Sequence, residues 1–355
     1  MGNGCVPANG GANRNPQSGS PLVALESNQE YIGDESLWLL SGLAVGLSKF
    51  VNNNDPSKSI AGELDNPDGK WSNLIKSNLS IRKYDLICFS KVNIQCTVHS
   101  VIFRSRRFVI VTYRGLNKKE NFKYDSYFQS SKRARVIRGK ELLIQSEILD
   151  AFEEAEAKIK EIVSIHLTLI IGDLSPVESK DAFLIHNGTC YGGALSFLSS
   201  LCFLDLYKGK QICITFGSHR IGGDDAVDLF NEYYSIHGRS FRVMLADDPL
   251  PTFPLSEDYS TFAGGLYLVA KKSIDSDNNV DANVKEVEET KIWKRSLYPS
   301  KDDMIQIREA AGNTLTIPIE DTTERYYDVW LDFLIAMKEK YYQRGVYIPV
   351  TRWGE

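Results

Sequence analysis

The stretch IHNGTCYGGALS, at residues 185–196, decides the fold of this chain. An apolar segment runs into Gly188-x-Cys190-x-Gly192, and a helical pattern follows at once. A strand that turns sharply into a helix strains the residue at its corner, so small residues must flank that residue. The pattern therefore predicts a nucleophile elbow with Cys190 at its corner. The N-terminus of the following helix favours negative charge, which predicts a thiol pKa below the ordinary ~8.5.

Strand and helix patterns alternate on both sides of this elbow. Segments rich in Val, Ile, Phe and Tyr predict strands at 94–103, 107–113, 182–187, 211–216 and 241–246. Helical periodicity predicts helices at 142–165, 192–204 and 224–236. Such alternation indicates an α/β fold, with a mostly parallel central sheet and helices on both faces.

The flanks of this pattern differ in composition. Residues 1–34 are rich in Gly, Asn, Ser and Pro and predict a disordered tail, so we expect a single domain over 35–345. Apolar spacing predicts further helices at 36–51 and 322–342, with a turn-rich loop at 52–80. The acidic, aperiodic residues 273–290 predict a flexible insertion.

Composition excludes several classes of protein. The chain has 355 residues, 43% of them hydrophobic, and a formal net charge of -5. No stretch is strongly basic, which argues against nucleic acid as a partner. No secretory signal opens the chain, and no apolar run reaches the ~18 residues of a membrane span. Six cysteines without CxxC spacing agree with a reducing, cytoplasmic location.

The first residues carry a candidate lipidation signal. Gly2 could accept a myristoyl group and Cys5 a palmitoyl group, and two chains together would anchor the protein on a membrane. Val6 stands where the myristoylation motif usually has Ser or Thr. An ordinary tail rich in Gly and Asn is therefore the alternative interpretation.

Five stretches resemble, in order, the class 3 (fungal-type) lipases. The elbow resembles G-H-S-L-G-G-A-L, with Cys in place of Ser. Residues 109–115 (VIVTYRG) resemble a strand that ends in F-R-G, and residues 214–222 (ITFGSHRIG) resemble T-F-G-S-P-R-V-G. Residues 242–251 (RVMLADDPLP) resemble the segment that bears the catalytic Asp, at Asp248, and residues 262–268 resemble the next strand.

The resemblance implies an α/β-hydrolase fold that acts on carboxyl esters or thioesters in lipid metabolism. It implies a lipid or small acyl ligand, and neither a cofactor nor a metal. Cys190 would be the nucleophile and Asp248 the acid of the triad. The backbone N–H groups of Leu116 and Tyr191 would form the oxyanion hole.

Three positions depart from the family. Cys190 replaces the Ser, and Leu116 replaces the Ser or Thr whose hydroxyl assists the oxyanion hole. The family's catalytic His aligns with Thr322 or Thr323. All five histidines of the chain precede Asp248, although the α/β-hydrolase order places the His last. Because the base is missing, these changes predict a pseudoenzyme or a very weak acyl-ester hydrolase.

His219 offers an alternative. It follows a predicted strand at the sheet edge that carries Cys190, so a triad of Cys190, His219 and Asp248 would give an active cysteine hydrolase or acyltransferase. The competing interpretation of His219 is a solvent-facing loop residue, and Asp248 could instead cap its own turn. His186 is interpreted as a core residue with satisfied hydrogen bonds, and no constellation is expected around His166.

Overall fold

A computed structural model describes the following residues of the chain: 79–89, 94–103, 106–115, 131–172, 182–207, 209–234, 239–245, 248, 250–254, 258–260, 265–269 and 291–296. The predicted helices at 36–51 and 322–342 and the insertion at 273–290 lie outside these residues, and so do both boundaries of the predicted domain.

The described residues form one large sheet, a separate hairpin and three helices. The strands are β1 (Leu79–Phe89), β2 (Ile94–Phe103), β3 (Arg106–Tyr113), β4 (Lys132–Ile137), β5 (Lys140–Gln145), β6 (Ala182–Thr189), β7 (Lys210–Phe216), β8 (Ser240–Leu245), β9 (Gly265–Val269) and β10 (Lys291–Ser296). The helices are α1 (Ser146–Ile171), α2 (Tyr191–Cys202) and α3 (Asp224–Tyr233), and a short 3₁₀ turn covers Leu250–Thr252.

The sheet is mostly parallel, as predicted. Its eight strands follow the order β1-β2-β3-β6-β7-β8-β9-β10. The pairs from β3 to β9 are parallel, and the outer pairs at both edges are antiparallel. Every residue of β6 is buried, which agrees with a strand in the middle of a parallel sheet. The elbow therefore follows directly after a strand that is buried along its whole length.

The α1 helix confirms the predicted amphipathic pattern but not its start. Its buried face carries Ile148, Leu149, Phe152, Ala155, Ile159 and Val163. The prediction of helix from residue 142 is wrong, because residues 140–145 are strand β5, paired antiparallel with β4. Strand β5 alternates buried and exposed side chains, and its Gln145 N–H donates to the carbonyl of Ile221 at 2.7 Å. These long-range hydrogen bonds outweigh the helical tendency of its Leu residues.

The hairpin β4–β5 is attached to α1 by charged side chains. Arg135 pairs with Glu156 at 2.6 Å, and Arg133 pairs with Glu153 at 2.5 Å. The Arg135 and Glu156 side chains are 18% and 15% exposed, so solvent screens this pair less than an ordinary surface pair. Of the helices that the structure describes, none combines the length and the apolar composition that a bilayer span requires.

Candidate active site

Cys190 lies at the corner between β6 and α2. Its backbone has φ 51° and ψ -119°, a positive φ that costs free energy for a residue with a side chain. Its N–H donates to the carbonyl of Phe216 at 2.8 Å, and its own carbonyl accepts from the N–H of Gly193 at 3.0 Å. The structure thus shows the strained strand-to-helix corner that the G-x-C-x-G pattern predicts.

The flanking glycines are required by close approach of the backbone. A Cβ atom on Gly188 would lie 2.2 Å from the carbonyl oxygen of Gly192. A Cβ atom on Gly192 would lie 2.2 Å from the carbonyl oxygen of Tyr113, at the end of β3. Side chains at either position would therefore push α2 away from the ends of β3 and β6, and Cys190 would leave its corner.

The Cys190 thiol is buried and protonated. Its residue is 5% exposed, and burial raises the pKa of the thiol from 9.0 to about 12. The Asp248 carboxylate raises this pKa as well, and the backbone N–H of Tyr191 lowers it. The expectation that the helix N-terminus leaves a low thiol pKa is therefore wrong, because loss of solvation opposes the thiolate more than one N–H group favours it.

Asp248 is close enough to Cys190 to act on it electrostatically. The residue is 3% exposed, and its Oδ1 accepts a hydrogen bond from the N–H of Leu250 at 2.9 Å. This second contact is the turn-capping role that the sequence left open. The carboxylate therefore caps its turn and also lies close enough to the thiol to raise its pKa.

Two arginines connect the loops that carry Asp248 and His219, and sequence analysis missed both roles. Arg242 is 1% exposed, and its Nη2 donates to the carbonyls of Ser218 at 2.8 Å and Pro251 at 2.6 Å. The backbone N–H of Arg220 donates to the carbonyl of Phe253 at 2.7 Å. These bonds connect the loop after β7 with the turn after β8. In the sequence, the R-x-G stretch at 220–222 and the R-V stretch at 242–243 carry these two arginines and were the signal from which their roles could be predicted.

His219 is buried, not solvent-facing. It is 4% exposed and lines a small cavity together with Phe197, Val227 and Arg242. Burial, and to a smaller extent the Arg242 guanidinium, lowers the pKa of His219 to about 3. A carboxylate beside a catalytic imidazole has the opposite effect, because it favours the charged ring. A catalytic role for His219 therefore stays a prediction.

His186 is a core residue, as the sequence suggested. Gln211 donates through its Nε2 to the carbonyl of Tyr207 at 2.7 Å, so its Oε1 is the acceptor for the His186 Nε2–H at 3.2 Å. The Ser199 hydroxyl then donates to Nδ1 at 3.0 Å. Burial lowers the pKa of His186 to about 4. A neutral ring with both nitrogens engaged has no free lone pair for catalysis.

His166 has partners that the sequence analysis did not expect. Its Nδ1 lies 2.7 Å from the Ser100 Oγ, and its Nε2 lies 2.8 Å from the Asp85 Oδ2. These residues come from three different elements, so no local motif announced them. In the described part of the chain no three His, Cys, Asp or Glu side chains are grouped as a metal site.

Several predicted site residues lie outside the described residues. They are Gly2 and Cys5 of the lipidation signal, Leu116 of the oxyanion hole, and Thr322 and Thr323 at the position of the family's His. Tyr191, the other oxyanion-hole residue, opens α2 and is 7% exposed.

Comparisons with known proteins support the fold. Residues 110–257 match the model of the lipase (class 3) family. The chain is similar to the triacylglyceride lipase of Rhizomucor miehei, with 15% identity over 64% of this chain and 78% of that chain and a TM-score of 0.48. It is also similar to a triacylglycerol lipase of Penicillium expansum, with 14% identity over 66% of this chain and 80% of that chain and a TM-score of 0.47. A mutant form of MDLA from Penicillium cyclopium is 11% identical over 87% of this chain and 97% of that chain, with a TM-score of 0.50. No curated protein matches the chain.

Proposed function

We propose that this chain, which carries a class 3 lipase-like α/β-hydrolase domain, binds an acyl ligand at the elbow and does not turn it over, or does so only very weakly. The single observation that carries this proposal is the state of Cys190. Its pKa of about 12 keeps the thiol protonated at neutral pH, and all five histidines of the chain precede Asp248, although the α/β-hydrolase order places the catalytic His last.

Acyl transfer needs a proton acceptor at two steps. In the first step the nucleophile loses its proton as it attacks the carbonyl carbon. In the second step a base takes a proton from the water that releases the acyl group. A thiol of pKa about 12, to which burial and Asp248 both contribute, is about one part in 10⁵ thiolate at pH 7. Both steps are therefore slow in this pocket.

The features that would bind a ligand are kept. The elbow directs the N-terminus of α2 toward Cys190, and the N–H of Tyr191 is already placed to stabilise negative charge on the sulfur. The same N–H is positioned to donate a hydrogen bond to the carbonyl or carboxylate oxygen of an acyl ligand. We therefore expect a fatty acid, monoacylglycerol or similar acyl compound to bind, as the resemblance implies.

Ester hydrolysis tests this proposal. Purified protein is given p-nitrophenyl butyrate, and its rate is compared with those of Cys190→Ala and a matched control, Cys202→Ala. Cys202 is the partly buried free thiol at the far end of α2. We expect the hydrolysis rates of all three proteins to lie within about tenfold of the rate in buffer alone. A rate that Cys190→Ala abolishes and Cys202→Ala keeps would show an active enzyme.

Ligand binding is measured separately with decanoic acid by isothermal titration. Binding that weakens when Gly193→Ala narrows the elbow, where a new Cβ would lie 2.7 Å from the Ser218 Cβ, supports the acyl site. Absence of binding for wild-type protein would contradict it. Circular dichroism of the variant separates a local effect from loss of fold.

A second candidate is an active cysteine hydrolase or acyltransferase that uses Cys190, His219 and Asp248. The observation in its favour is that Asp248 lies close enough to Cys190 to affect the pKa of its thiol. If this triad forms with a ligand bound, His219→Ala should slow acylation of Cys190 by an activated ester at least tenfold. Equal acylation rates for wild type and variant would remove His219 from the mechanism.

We further propose that the protein is held at a membrane surface by its N-terminus. A lipidated N-terminus, through Gly2 and Cys5, would place a cytoplasmic acyl-binding domain at the surface that holds its ligands. Cell fractionation of Gly2→Ala tests it, because loss of the myristoyl group should move the protein from membranes to cytosol. An unchanged distribution would contradict the proposal.

A further inference from the structure

A second chain of Ser, His and Asp side chains lies away from the elbow. Ser100 is on β2, His166 is on α1 and Asp85 is on the edge strand β1. The Ser100 Oγ lies 2.7 Å from Nδ1 of His166, and the Asp85 Oδ2 lies 2.8 Å from Nε2. Both distances are those of good hydrogen bonds.

The acceptor carboxylate decides which ring nitrogen carries the proton. Asp85 is ionised, since its pKa is lowered by the hydrogen bond from His166 and by Lys83 against the effect of burial. Because a carboxylate only accepts, Nε2–H must donate to Asp85. Nδ1 then holds a lone pair, and the Ser100 hydroxyl donates to it. All three groups are satisfied when the imidazole is neutral.

This arrangement is not a second catalytic triad. Ser100 is fully buried in the middle of β2, where it pairs with Lys83 on one side and Val109 on the other. A nucleophile must reach a substrate carbonyl, and this hydroxyl reaches only the interior between sheet and helix. The chain of bonds therefore joins the edge strand, its neighbour and α1.

Protonation of His166 reverses the direction of its hydrogen bond with Ser100. An imidazolium donates from both nitrogens, so Nδ1–H would point at Ser100, and the Ser100 proton would need another acceptor. The nearest one recorded is the carbonyl of His166 at 3.5 Å, too long for a good bond. The charged ring would also be buried, since His166 has no exposed surface.

The charges around His166 oppose one another. Of the described groups around it, Asp85 favours the charged ring, and Lys83, 3.1 Å from the same carboxylate, opposes it. From β2, His99 interacts with it electrostatically, and from β3 Arg107 donates to the carbonyl of Ile170 one turn further along α1. Burial is the largest effect, and the pKa of His166 is lowered.

We propose that Ser100, His166 and Asp85 form a proton-sensitive latch, which holds the edge strand β1 against α1 while the imidazole is neutral and weakens when it is protonated. The sign follows from linkage. The folded pKa lies below the unfolded 6.5, so the latch is fully closed above pH 6.5 and weakens as the pH falls below that value.

Hydrogen–deuterium exchange of peptides from β1 tests the latch in the intact chain. The key variant is His166→Gln, whose amide oxygen and N–H₂ keep the neutral pattern of one acceptor and one donor and cannot be protonated. Wild type and His166→Gln share every other histidine, so any global loss of stability on acidification is common to both. From pH 7.5 to 5.5, after correction for intrinsic exchange, the protection of β1 should fall up to about tenfold more in wild type than in His166→Gln.

A second variant keeps the test valid if His166→Gln does not fold. Asp85→Asn retains an acceptor for Nε2–H but removes the charge that favours the imidazolium, so its loss of β1 protection should be at least as large as that of wild type. Ser164→Ala, on the solvent side of α1, is the control and should behave as wild type. Equal losses in wild type and His166→Gln, or a smaller loss in Asp85→Asn, would overturn the latch.

Discussion

The reactivity of Cys190 is the most direct test of how its surroundings act on it. A rise of the thiol pKa from 9.0 to about 12 lowers the thiolate fraction at neutral pH about a thousandfold. The more basic thiolate is a better nucleophile, and a Brønsted coefficient of ~0.4–0.5 restores a factor of about 15–30. The net expectation is alkylation roughly 30–60 times slower than that of an ordinary thiol, before any steric shielding of a residue that is 5% exposed.

Iodoacetamide labelling followed by peptide mass spectrometry measures this rate. Cys88, an exposed free cysteine on β1, is the reference within the same molecule. We expect Cys190 to react more slowly than Cys88 at pH 7.5, and its rate to keep rising about tenfold per pH unit through pH 9 without a plateau.

Asp248→Asn separates charge from burial. The substitution removes the carboxylate that raises the pKa of Cys190, so labelling at fixed pH should become faster, while the exposed Asp205→Asn should have no effect. Thermal melting of each variant excludes unfolding as the cause. A wild-type plateau below pH 8 would refute the reasoning, since it would mean that the thiolate is stabilised in the folded protein.

Three further predictions concern stability. The pKa values of His99, His186 and His219 are lowered to about 3, 4 and 3, below the unfolded 6.5, so the stability that they contribute is present above pH 6.5 and is lost as the pH falls. Urea unfolding at pH 6.5 and 5.5 should show a loss of roughly 3 kcal/mol from the three together, and a flat profile would contradict it. Gly192→Ala, with its Cβ 2.2 Å from a backbone oxygen, should lower stability by about 3 kcal/mol or more, and a thermal melt equal to wild type would show that α2 can shift. Thr112→Val should raise stability by about 1 kcal/mol, because the buried Thr112 hydroxyl has no hydrogen-bond partner among the described residues. A destabilised variant in the same unfolding assay would contradict this.

The strand–elbow–helix unit was predictable because its information is local. Gly188, Cys190 and Gly192 lie within one turn of chain, and their spacing alone requires a sharp corner. The buried face of α1 was also predictable from its period. The start of α1 was not, since Leu142 and Ile144 belong to a strand only because β4 pairs with them.

The chemistry at that corner depended on residues far apart in the chain. The sequence by itself determined an elbow, a mostly parallel sheet and the order of nucleophile and acid, because short-range periodicity and small-residue requirements encode them. Only the tertiary structure decided that the Cys190 thiol is protonated, that His219 lies beside Arg242, and that His166 joins Ser100 to Asp85. Desolvation and Coulomb interaction act through space, so their size and sign follow from which side chains the fold encloses together.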